Sequence, residues 1–142
     1  MRFIVMHKTN ARWEAGETPS AELIARVGAL IGEMVKANAL RAGEGLRASS
    51  LGMRLKFSGD SCESIAGPFE GDNELPSGFD ILSVQSLDEA VDWASRLASG
   101  SGDAEVDVRP VTEPWDLGMM PKPDGLTKLR YMALRKATAA TE

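Results

Sequence analysis

The chain opens on a run, Arg2 to His7 (RFIVMH), in which both phases of an extended strand are apolar, Phe3 and Val5 on one and Ile4 and Met6 on the other. A strand with one wet face alternates apolar with polar residues, so apolar groups on both phases call for cover on both faces. Any architecture for this chain must therefore bury its first strand twice.

The rest of the sequence offers only part of that cover. Lys8 to Thr18 holds Asn10, Gly16 and four charged residues and reads as a loop, with Trp13 as its one large apolar group. Thr18-Pro19 then signals a helix start: Thr18 can accept from a free N–H of the first turn, Pro19 has no N–H to leave unpaired, and Glu22 suits the positive end of the helix. Leu23, Ile24, Val27, Leu30, Ile31, Met34 and Val35 recur at spacings of three and four, which predicts a helix to about Asn38. Leu40 to Leu46 is a weak second strand whose glycines suggest a bulge or a close backbone approach. Met53 to Ser58 alternates as a strand does, Gly59-Asp60 turns it, and Ser61 to Ile65 is its hairpin partner. Gly67 to Pro76 is a long loop and Phe79 to Val84 a central strand. Ser86 with Glu89 makes a capping box for a second helix, Ser99 to Asp103 ends it, and Ala104 to Val111 is the last strand.

This order is an α+β split βαβ plan with an inserted hairpin. Two helices cover one face of such a sheet. The other face then meets solvent or a second chain, and the apolar phases of the first strand favour a homodimer. Beyond Trp115 the chain changes: residues 116–142 carry five basic and three acidic groups, against 11 basic and 18 acidic before them. Leu126, Leu129, Met132, Ala133 and Lys136 recur at helical spacing, which predicts a short docked helix in this tail.

The net charge of -5 argues against a nucleic-acid partner, since phosphate binding draws on a surplus of Lys and Arg. No apolar run approaches a membrane span, and the N-terminus lacks the pattern of a signal peptide, so the chain reads as a cytoplasmic protein. One cysteine, Cys62, excludes an internal disulfide, and one histidine argues against a His/Cys metal site. Cys62, beside Glu63, reads as structural. No phosphate loop or dinucleotide fingerprint is present, and no cofactor is expected.

His7 is the side chain whose ordinary pKa lies nearest neutrality, and the end of a strand is where a sheet delivers groups to a cleft; it is the candidate catalytic acid–base. A histidine that only bonds its neighbours is the plainer alternative. Lys8 can hold an anionic substrate by charge or simply be solvated. Trp13 can cap a pocket or pack under its loop. Glu44, between two glycines, is either a ligand contact or the exposed tip of a bulge. Phe69 is a pocket wall or a plug that anchors the long loop.

Gly43-Glu44-Gly45-Leu46, Gly67-Pro68-Phe69, Glu74-Leu75 and Gly78-Phe79, in that order and spacing, resemble the YCII-related family, in particular its DGPF-domain branch. Arg2 to Lys8, the helix start Leu87-Asp88-Glu89-Ala90 and the strand Glu105 to Val111 are similar too, so the resemblance covers about residues 1–115 and omits the tail at 116–142. It implies a ferredoxin-like subunit that dimerises through its sheet as dimeric α/β barrels do, with a small cleft lined by polar residues. Glu74 is the clear match in the run after Phe69 and joins the candidate ligand contacts. Some members look enzymatic through a His and Asp pair; with no covalent nucleophile or cofactor motif in this chain, the reaction expected is proton transfer or elimination on a small polar or aromatic metabolite. DGPF domains are also associated with sigma-factor proteins, so a non-catalytic interaction module is the alternative. The family motif begins with Asp where this chain has Ala66, which removes the carboxylate expected to orient a histidine. Asp80 stands where relatives carry an apolar or aromatic residue, and is either a new polar contact or an exposed substitution.

Overall fold

The computed structural model describes residues 1–71, 74–103 and 105–123. Strand β1 (Arg2–Lys8) is followed by a short helix α1 (Ala11–Glu14), a long helix α2 (Ala21–Lys36) and strand β2 (Leu40–Gly45). A hairpin of β3 (Met53–Ser58) and β4 (Ser61–Ala66) comes next, then β5 (Pro76–Ser83), α3 (Leu87–Ser101) and β6 (Val106–Pro110). The main sheet is ordered β2-β5-β1-β6, and each neighbouring pair is antiparallel. With the hairpin set aside, this is the ferredoxin-like arrangement: β1 and β2 run the same way and β5 lies between them.

Period 2 along the strands decides what the helices cover. Phe3 and Val5 of β1 and Leu82 of β5 share one face, and Phe3 stands directly across from Leu82. They are buried with Leu30 and Met34 of α2 and Ala90, Ala94 and Leu97 of α3. The side chains of Ile4, Met6, Phe79 and Ile81 belong to the opposite phase and are half-buried. Of the stripe expected on α2, only Leu30 and Met34 are fully buried. Ile24, Ile31 and Val35 are exposed on its flank, because the sheet is met by a narrower arc than seven apolar residues describe.

The ends of the elements follow local chemistry. The segment expected to be a loop before α2 contains α1, because the Asn10 side chain accepts from the Trp13 N–H at 3.0 Å and nucleates a turn. Helix α2 is capped by Ser20 rather than Thr18: Ser20 has extended backbone, and its hydroxyl accepts from the Leu23 N–H at 3.2 Å. It stops where Asn38 turns left-handed (φ 54°), a conformation Asn tolerates. The expected box at α3 forms, with Ser86 accepting from the Glu89 N–H and the Glu89 carboxylate accepting from the Gln85 N–H.

The hairpin forms a two-stranded sheet of its own, with Gly59 at its turn (φ 58°). Met53, Leu55 and Phe57 lie on one of its faces and are exposed, Phe57 to 74%. Cys62, directly across from Phe57, is exposed as well, so it plugs no core.

Met1–Val111 form one compact unit, and the described residues 112–123 belong to a second. In the second, turns run from Pro114 to Gly118, and the Asp116 carboxylate accepts from the Glu113 N–H at 2.9 Å. The helix expected after Gly125 lies outside the described residues.

Candidate functional site

The phase that puts Phe3 and Val5 under the helices puts His7 there too, at the end of β1 where the core gives way to a cleft. Asp80 lies on the same face of β5, directly across from Val5, while Gly78 stands across from His7. The imidazole therefore leans to its diagonal neighbour, and Nε2 donates to Asp80 Oδ2 at 2.8 Å. Gly102 closes α3 in the left-handed conformation (φ 80°), which glycine adopts without strain, and delivers Asp103 to the other side of the ring. Nδ1 donates to Asp103 Oδ2 at 2.7 Å, and the Ser101 hydroxyl reaches the same oxygen at 2.5 Å.

The three side chains are only 12–15% exposed. Hydrogen bonds to Asp103 first and Asp80 second push the His7 pKa up to about 9, against the opposing effect of burial. At neutral pH the ring is thus an imidazolium with both N–H groups spent on carboxylates. It has no lone pair to offer a substrate. Asp80 still has an oxygen to offer, since His7 takes Oδ2 and Oδ1 stands over Gly43 of β2. That oxygen has room only because residue 43 lacks a side chain: a Cβ there would sit 2.0 Å from Oδ1.

The cleft beside this cluster holds about 800 Å³, in the range of small-molecule sites. Its polar floor carries His7, Asp80 and Asp103. Its walls carry Trp13 of α1, Leu23, Ile24, Val27 and Ile31 of α2, and Leu40 of β2. Trp13 is fixed by its indole N–H, which donates to the Leu46 carbonyl at 2.8 Å. Glu14, beside it, accepts from the Thr9 hydroxyl and from both the N–H and the hydroxyl of Ser49. These bonds, those of Ser49 foremost, hold its carboxyl below the usual range. Glu14 thereby fixes the wall that Trp13 forms.

Of the residues singled out from sequence, His7, Lys8, Trp13 and Glu44 line the cleft. The Lys8 ammonium is bonded to the Asp107 carboxylate at 2.7 Å, which raises its pKa, and is not free to grip an anion. Phe69 and Glu74 are not among the lining residues. Phe69 lies under the Arg54 guanidinium, 4.4 Å from ring centre to Cζ, with its N–H donating to Ser49 Oγ, and so anchors the long loop. Glu74 contributes to the field that keeps Lys8 charged. Asp103 is not among the residues the sequence singles out, because it falls in the run Ser99 to Asp103 that ends the second helix. Asp80 is the new polar contact of the two alternatives. The signal for it was one acid on the buried phase of an otherwise apolar strand. Among the described residues no group of three or more His, Cys, Asp or Glu side chains is placed to hold a metal ion.

Fold and site together define a ferredoxin-like protein with a carboxylate–imidazolium–carboxylate cluster at the floor of an apolar cleft. No family model matches the sequence, and no curated protein matches it. Among solved structures it is similar to the 5-chloro-2-hydroxyhydroquinone dehydrochlorinase of Burkholderia phenoliruptrix AC1100, described in complex with 2,5-dihydroxybenzoquinone. That similarity has 16% sequence identity and a TM-score of 0.43, over 80% of this chain and 95% of the other.

Proposed function

We propose that this protein binds a small molecule in the cleft and moves a proton on it, with Asp80 as the group that meets the substrate. The observation that carries this reading is the division of labour at His7. Both of its nitrogens are engaged by carboxylates, while Asp80, which lines the cleft, spends only Oδ2 on His7 and has Oδ1 over Gly43. The bond from His7 Nε2 fixes the Asp80 carboxylate in direction, as a positioned general base requires. A proton leaving a substrate C–H or O–H passes to Oδ1, its electron pair staying on the substrate; return of the proton to another atom completes an isomerisation, and loss of a leaving group completes an elimination. His7 and Asp103 act as positioning residues.

The motif resemblance of Gly43 to Leu46 and Gly67 to Phe69 supports membership of the YCII-related family, DGPF branch. Pairing of two copies through the sheet face of Ile4, Met6, Phe79 and Ile81 would give the first strand its second cover. No helix among the described residues is long and apolar enough to cross a membrane.

A protein-observed NMR screen of neutral fragments, followed on the Trp13 indole and Gly43 amide resonances, tests the reading. Fragments that shift both signals, with binding weakened in Asp80→Asn, are expected. Fragments that bind while leaving both signals unmoved would place the ligand site elsewhere.

A further inference from the structure

The basic side chains that line the cleft are, among the described residues, His7, Lys8 and Arg12. Each already faces a carboxylate. His7 lies between Asp80 and Asp103, Lys8 Nζ is 2.7 Å from Asp107, and Arg12 Nε is 2.7 Å from Glu17. Glu44 adds a further negative charge to the lining. The N-terminus of α2 also borders the cavity, but the Ser20 hydroxyl takes the Leu23 N–H there and Glu22 places a negative charge in the first turn. A carboxylate or phosphate entering this cleft would lose its hydration, meet only cations that already face carboxylates, of which Arg12 is the one exposed to solvent, and approach Asp80 as a like charge. A neutral molecule meets none of these costs, and its apolar body suits Trp13, Leu23, Val27 and Ile31.

Resting on the assignment of this cleft as the ligand site, we infer that the substrate is an uncharged, largely apolar molecule. It presents a single hydrogen-bond donor, a hydroxyl above all, to Asp80 Oδ1, and the cleft discriminates against carboxylate and phosphate analogues of the same shape. Specificity is then set by repulsion as much as by contact.

The test uses the full chain at pH 7.5 and three probes of matched shape: 4-ethylphenol, 4-ethylbenzamide and 4-ethylbenzoate, titrated while the Trp13 indole N–H is observed. The phenol and the amide should bind at least about tenfold more tightly than the carboxylate, a gap that charge repulsion in a partly dry site readily supplies. The gap should narrow in Asp80→Asn. The amide and benzoate pair tests charge alone in the unaltered protein, so the outcome stands even if that variant folds poorly. Benzoate binding as tightly as the amide, with Trp13 shifting, would overturn the inference and leave the cleft as the ligand site. If no probe shifts Trp13, the ligand-site assignment fails and the inference with it.

Discussion

Gly43 and Asp80 face each other across β2 and β5, and the carboxylate of one fills the volume that a side chain on the other would need. A glycine in a strand costs stability through its freedom in the unfolded chain. Here it lets a carboxylate stand at the edge of the core with one oxygen on His7 and the other over Gly43. Gly43→Ala is expected to displace Asp80 and cost about 1–3 kcal/mol by overpacking. Chemical denaturation measures the cost, and the His7 ring resonances report the displacement.

The histidine gives the fold a pH signature. Its pKa rises from about 6.5 unfolded to about 9 folded. The folded state therefore binds the proton more tightly, and the resulting stabilisation is complete below about pH 6.5 and is lost as pH climbs through 9. The size is on the order of 3 kcal/mol. Thermal unfolding followed from pH 6 to 10 should show this loss, and His7→Gln should flatten it.

The two carboxylates contribute unequally to that shift. Asp103 is the larger cause and Asp80 the smaller, so Asp103→Asn should lower the His7 pKa further than Asp80→Asn does. NMR titration of the ring measures both. A larger fall in Asp80→Asn would reverse the assignment.

Glu14 should act at a distance on the cleft wall. Glu14→Gln weakens the bonds from Thr9 and Ser49, each a charge-assisted contact, and is expected to cost about 1–2 kcal/mol. The depressed carboxyl stabilises the fold above its ordinary titration range and loses that contribution as pH falls, so the cost should shrink in acid. Trp13 fluorescence would report the loosened wall, with Trp93 and Trp115 replaced by Phe.

Pairing through the open sheet face predicts that Ile81→Lys yields a monomer with an intact helix-covered core. Sedimentation velocity on the two proteins decides it, and a parent chain that sediments as a monomer at tens of micromolar would refute the pairing.

The strands and both long helices could be read from periodicity because burial repeats at fixed spacing, and the hairpin because Gly59-Asp60 interrupts such a repeat. Helix α1 escaped because four residues are too few to show a period, and its only signal was Asn10. The site was half legible. His7 stood out by its chemistry, but its partners are Asp80, hidden in a run that reads as core, and Asp103, hidden in a run that reads as a helix end. Nothing local to Ser101, Gly102 and Asp103 says that β1 passes beside them. Ala66 pointed to a missing carboxylate, whereas the fold supplies two from other elements.

Strand β1 is flanked in the sheet by β5 and β6, which begin at Pro76 and Val106, and the His7–Asp103 bond spans 96 residues. During synthesis β1 therefore leaves the ribosome before either of its sheet neighbours, and β2, the next strand made, is not adjacent to it. Its apolar edges stay exposed until most of this unit has been made. Loop closure over such distances slows folding and lengthens the exposure to wrong partners. The cluster at His7 joins β1, β5 and the end of α3, so it closes only after those three elements have come together.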